Sequence, residues 1–195
     1  RIAKEDIFSG LNNLSVCTVL DTQYSDKFGF TQEEVDQLLV EYDLTDKKNE
    51  IKSWYDGYVL GGINVYNPWS LLKYINSNDE FQLYWANTSD NKLVKNIIAN
   101  SSEKVKSGLE LLLQTHTIEN KKIDVNVTLS DFDNNDQEPW SFLLFTGYLT
   151  IKSRNIINDR HYYALTIPNK EMTLLYQDLL FQTLSTHISF TKLKE

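Results

Sequence analysis

The side chains that could hold a metal, attack a carbonyl or cradle a phosphate are few, and their spacing limits each. Asp131-Phe132-Asp133-Asn134-Asn135-Asp136 has the alternating oxygen ligands of a calcium loop. Such a loop needs Gly at its sixth position and Glu at its twelfth, where this chain has Asp136 and Phe142. The run reads as a solvated acidic loop. His116, His161 and His187 stand apart, so each reads as a surface or boundary histidine and no metal site is expected. Ser9 lies in Phe-Ser-Gly rather than G-x-S-x-G, and Cys17 has no assignable histidine, so no nucleophile is expected. Asp124 and Asp131 lie near a predicted strand. Magnesium-assisted phosphodiester cleavage would also need a following lysine to complete the site, and no E-x-K or D-x-K triplet follows at useful spacing. ATP hydrolysis needs a G-x-x-x-x-G-K-[ST] loop. None of Gly10, Gly29, Gly57, Gly61, Gly62, Gly108 and Gly147 lies in one, so the fragment is expected to have no catalytic residue and no cofactor of its own.

The totals describe an ordinary globular chain. It has 195 residues, 41% hydrophobic and 24% charged, with a formal net charge of -8. That length can bury a substantial core. Nucleic-acid binders gain affinity by neutralising phosphates, so the acidic balance argues against nucleic acid as a partner. Lys47-Lys48 and Lys121-Lys122 read as solvated loop charges. With Cys17 as its one cysteine the chain can form no internal disulfide, which suits a reducing, cytoplasmic setting. No run of about 18 apolar residues is present to span a membrane. The sequons at Asn87, Asn100 and Asn126 read as chance in an Asn-rich chain.

Periodicity predicts the elements. Thr31 and Glu34 form a capping box, with Phe30 and Val35 as a hydrophobic staple, opening a helix that carries Val35, Leu38, Leu39 and Tyr42 on one face. A second helix after Thr45 carries Ile51, Trp54, Tyr55 and Tyr58 on one face and ends at Gly57. Gly61-Gly62 makes a turn into a strand at 63–66. Asn67-Pro68 starts another helix. Further helices begin near Thr88 or Ser89 and near Ser102. Ile123, Val125, Val127 and Leu129 alternate, predicting a strand over 122–130. Pro139 opens a helix that Gly147 ends. Strands are expected at 149–152 and 162–167, joined by a polar turn from Ser153 to Arg160. Pro168 to Glu171 starts the last helix, facing inward with Met172, Leu175, Tyr176, Leu179 and Leu180. Pro-Trp-Ser recurs at Pro68 and Pro139, read as the same helix-start chemistry used twice. The expected class is α+β and mainly helical.

Several blocks carry a resemblance. The opening stretch from Arg1 to Leu14, with Lys4-Glu5-Asp6-Ile7-Phe8-Ser9-Gly10-Leu11-Asn12-Asn13 at its centre, resembles a segment that follows the nucleotide-binding core in the AAA-ATPase-like family of predicted bacterial ATPases. Trp54-Tyr55-Asp56-Gly57-Tyr58 and Tyr66-Asn67-Pro68-Trp69-Ser70 resemble a second block of that family. Tyr84-Trp85-Ala86-Asn87-Thr88-Ser89 and Leu143-Leu144-Phe145-Thr146-Gly147-Tyr148-Leu149 resemble two more, so the likeness runs over nearly the whole chain. For the aromatics of these blocks the residues leave two readings, core packing or a face for another domain.

The resemblance implies an organisation. Residues 1–20 would be a remnant of the ATPase core, 21–120 a helical lid and 121–195 a winged-helix-like unit with a small β-hairpin. The first residue is not Met, and the expectation is that the phosphate-binding half precedes it. Lys4, Ser9, Asn12 and Asn13 would then lie at the edge of the nucleotide site, near the γ-phosphate. The intact protein would use ATP and magnesium. The expected partners are its own ATPase core, the C-terminal PD-(D/E)XK nuclease-type segment that many members carry, and a protein whose identity the residues do not give. The competing expectation is a non-enzymatic protein-interaction module. A third, DNA binding through the terminal helix and wing, is opposed by the charge.

Overall fold

The computed structural model describes residues 16–85, 92–127 and 139–179. The chain is an α+β protein in which helices outweigh two small antiparallel sheets. Its first helix, α1 (Gln32–Glu41), starts as its sequence predicts. The Thr31 side chain accepts from the Glu34 N–H while the Glu34 carboxylate accepts from the Thr31 N–H, satisfying two amides that a bare helix end leaves open. A 3₁₀ turn (Thr45–Lys47) leads into α2 (Lys48–Tyr55). Asp56 ends α2, and Tyr58, expected on that helix, instead begins β1 (Tyr58–Leu60). The reason is Gly57, whose φ of +97° turns the chain out of the helix. β1 pairs with β2 (Ile63–Val65) across the Gly61-Gly62 turn. Asn67 caps α3 (Pro68–Ile75), accepting from the Trp69 and Ser70 amides.

The second half begins with α4 (Lys92–Asn100) and α5 (Glu103–Thr115), with Ser102 at the N-terminal boundary of the latter but making no side-chain cap. The start expected for α4 at residues 88–89 lies outside the described residues. Strand β3 is Thr117–Lys121, so the strand expected over 122–130 is displaced. Residues 122–127 form a loop in which the Asp124 carboxylate accepts from the Asn126 N–H and the Asp124 N–H donates to Ser141 Oγ. These local bonds compete with a ladder despite the alternating apolar residues. β3 itself escapes a search for periodicity because Ile118 is its one fully buried residue and a bulge interrupts it before Lys121.

α6 (Trp140–Phe145) ends at Gly147, and two long strands follow, β4 (Thr150–Ile157) and β5 (Arg160–Thr166). The polar turn expected from Ser153 to Arg160 is mostly strand. The turn is two residues, Asn158 and Asp159, with φ of +49° and +59°, the left-handed pair that a tight hairpin requires. The sheet order is β3-β5-β4, with both pairings antiparallel. A last helix, described over 170–179 (α7), is capped by Asn169, whose Oδ1 accepts from the Met172 N–H. Met172, Leu175, Tyr176 and Leu179 are buried as expected. Leu180 and Leu129 lie outside the described residues.

Two hydrophobic clusters result. One gathers Val35, Leu39, Ile51, Tyr55, Leu71 and Tyr74 from α1, α2 and α3. The other gathers Ile98, Leu109, Trp140, Leu143, Leu165 and Tyr176 from α4 onward. Leu83 touches both.

Gly57 tests this packing. A Cβ there would lie 2.0 Å from the Pro168 carbonyl oxygen, whereas one at Gly62, also at positive φ, would meet nothing within 4 Å. Gly62→Ala should cost about 1–2 kcal/mol for its backbone conformation alone. Gly57→Ala should cost at least about 2 kcal/mol more, since a backbone atom must move. Urea melts of both variants measure the difference.

Candidate functional site

Three of the motif blocks, as far as the described residues show them, converge at the junction of the two clusters. Glu171, in the first turn of α7, is wholly buried. Its carboxylate accepts from Ser70 Oγ at 2.8 Å and from the Trp85 backbone N–H at 2.6 Å. Ser70 belongs to the Tyr66–Ser70 block and Trp85 to the Tyr84-Trp85 block. A buried carboxylate is costly unless hydrogen bonds meet it, and the positive end of α7 adds to those bonds.

The Trp54–Tyr58 block meets the same helix start. Asn169 Nδ2 donates to the Asp56 carbonyl at 2.9 Å, and Gly57 lies against Pro168. The Asp56 carboxylate is buried. It takes the Lys52 ammonium at 3.1 Å and the Asn64 amide at 2.5 Å. Lys52 also donates to Gln32, which accepts from the Tyr66 hydroxyl. Polar contacts thus run from α1 through α2 and β2 to α7.

Most of the aromatics are core. Trp54, Tyr55, Tyr66 and Tyr148 are buried. Phe81 stacks on Tyr74 at 4.5 Å and on Trp54 at 5.4 Å. Trp85 meets Tyr148 edge-on, and Tyr148 meets Tyr176 in the same way. Trp69 is the exception, 48% exposed with Lys73 over its ring. The repeated Pro-Trp-Ser motifs therefore diverge at tryptophan, since Trp140 is buried. They agree at serine, since Ser70 and Ser141 are both buried and bonded to distant segments.

Burial raises the hydroxyl pKa of Tyr55, Tyr58, Tyr66 and Tyr176 well above the ordinary tyrosine value, and that of Tyr74 to about 12. At Tyr58 the Glu171 charge adds to the rise while Asn169 and Asn67 oppose it.

A cavity of about 340 Å³ lies beside Val16. Val16, Val19, Leu60, Val127 and Phe145 line it, with Cys17 and Asp21 among its polar groups. Beside it Tyr24 is 53% exposed and Phe28 76%.

Lys4, Ser9, Asn12 and Asn13 lie outside the described residues, as do His187 and Asp131 to Asp136. His116 ends α5 in a left-handed conformation, and its carbonyl accepts from the Thr166 hydroxyl. Arg154 Nε donates to His161 Nδ1 at 3.1 Å. Among the described residues no group of three His, Cys, Asp or Glu is arranged to hold a metal, and no helix is long and apolar enough to cross a membrane. Sequence reasoning missed Glu171 and Asn169 as junction residues. The available signal was their position in a helix-start motif, which explained them locally and concealed their distant partners.

No family model matches the chain, and no solved structure matches it. The chain is similar to an uncharacterized protein encoded in the vnfD 5' region of Azotobacter chroococcum mcd 1, with 30% identity over 172 residues. The match covers 88% of this chain and 31% of that protein, so the chain spans less than a third of its relative.

The junction makes two predictions. Ser70→Ala should cost about 1–3 kcal/mol, because it removes a hydrogen-bond donor from a buried carboxylate. Glu171→Gln should cost about as much, and the double variant should cost less than the sum. Denaturant melts give all three values. Alkali should also unfold the protein. The buried tyrosines' stabilising contribution is intact below pH about 10, where unfolded tyrosine ionises, and is lost as pH rises toward the raised folded values, about 12 for Tyr74. Tyrosinate absorbance and circular dichroism should change together. Ionisation of all tyrosines near pH 10 with the fold intact would contradict the assignment.

Proposed function

We propose that the chain is the lid and winged-helix-like region of an AAA-type ATPase, coupling nucleotide state to a neighbouring domain without catalysing a reaction itself. The observation that supports the reading is where a cavity and exposed aromatic side chains lie among the described residues. The cavity, Tyr24 and Phe28 follow directly on the opening block that resembles the end of an ATPase core. A core docked there would press on β1 through Leu60, and β1 continues into the junction through Tyr58 and Gly57. The β3-β5-β4 order, with helices before and after the sheet, is consistent with a winged-helix-like unit. A lid of this kind acts through contacts that differ between the ATP and ADP states. ATP and magnesium would be held by the core, with Lys4, Ser9, Asn12 and Asn13 at its edge.

A second reading, a protein-interaction module, is favoured by Trp69 and Leu72, half-exposed on α3.

The test uses the protein encoded by the natural reading frame that contains this chain. It should bind Mg-ATP, and protease cleavage within residues 16–85 should differ between ATP and ADP. Phe28→Glu should remove that difference while sparing nucleotide binding. Absence of nucleotide binding by that protein would overturn the lid reading. Capture of a partner that requires Trp69 and ignores nucleotide would favour the module.

A further inference from the structure

We propose that the β4-β5 hairpin is an arm that contacts the phosphate backbone of duplex DNA. The whole-chain charge of -8 argues against such a partner, but folding gathers the cations that oppose it. Residues 117–122 and 150–166 carry Lys121, Lys122, Lys152, Arg154 and Arg160 against Glu119 and Asp159. None of Lys122, Lys152, Arg154 and Arg160 is ion-paired with a carboxylate among the described residues. By contrast Lys48 and Lys52, on α2, are each paired with an aspartate.

The arm is built for contact more than for stability. From Lys152 to His161 every residue is exposed, and a two-stranded ribbon without cover adds little stability of its own. Ile156 is 66% exposed beside the turn, where packing gives it no role.

The register decides the kind of partner. Ile156 faces His161 and Arg154 faces Tyr163, so Arg154, Ile156 and His161 share one side of the ribbon. Asn155 faces Tyr162 and Ile157 faces Arg160, so Arg160 and Tyr162 share the other, where Lys122 lies 5.8 Å over the Tyr162 ring. Cations therefore flank both sides. A flat acidic protein surface would meet one side only. The major groove, about 12 Å wide, admits a two-stranded ribbon between two rows of phosphates, and this arrangement supplies a cation to each row. Arg154 and Arg160 carry the contact, with Lys122 and Lys152 nearer the base of the arm.

The inference does not depend on the ATPase reading and is tested separately, on the full chain, by fluorescence anisotropy with a labelled mixed-sequence duplex of about 25 base pairs. Affinity should fall with salt at a log-log slope of about -2 to -4, from roughly 0.9 per neutralised phosphate. Arg154→Glu with Arg160→Glu should weaken binding at least about tenfold and flatten that slope by about 2. Lys47→Glu with Lys73→Glu, which changes net charge equally, should leave most of the affinity. Both arm positions are exposed, and an unchanged circular dichroism spectrum checks that the variants fold. Equal weakening by the two pairs would overturn the proposal, as would no duplex binding at low salt. Binding to phosphatidylserine vesicles in place of the duplex would also overturn it.

Discussion

The Glu171 carboxylate is the contact on which the arrangement of the two halves depends. It is wholly buried and accepts from Ser70 and from the Trp85 backbone. A carboxylate buried this deeply depends on the hydrogen bonds that meet it, and these donors come from separate parts of the chain. Ser70 is fixed by α3, Trp85 by the segment that follows the aromatic cluster, and Glu171 by α7. Moving either half would strand a charge, and that cost specifies one relative position. Asp56, Asn169, Gly57 and Pro168 reinforce it from the side of α2.

This also accounts for the motif blocks. Those among the described residues are separated in sequence because each comes from a different element, and they meet because α7 begins beside the end of α2, the first turn of α3 and Trp85. Their aromatics supply buried area and their polar groups supply register. The arrangement is suited to passing displacement from one half to the other, since packed cores shift as units. β1, which lines the cavity beside residue 16, meets the start of β4, where the Val59 N–H donates to Thr150 Oγ1 at 2.8 Å.

Much of the fold was legible in the sequence. The Thr31–Glu34 capping box, the Asn67-Pro68 start and the buried face of α7 follow from local rules, and local rules held. Where reading failed, a distant partner or a positive φ decided the outcome. Residues 123–127 alternate like a strand, yet Asp124 is taken by Ser141 and by its own turn. Ser153 to Asn155 look like a turn because they are polar, and they are polar because the arm has no cover. Lys4, Ser9, Asn12 and Asn13 were named only through resemblance and lie outside the described residues. Net charge concealed the cationic sheet because a sum carries no positions.

The most direct test is native-state hydrogen exchange under increasing urea, following amides of α2 and α3 against those of α5 and β5. A junction held by Glu171 predicts that both sets open with the same free energy and the same urea dependence in the native protein. Glu171→Ala should split them into two units of unequal stability. Independent opening of the two sets in the native protein, or continued joint opening in the variant, would contradict the account.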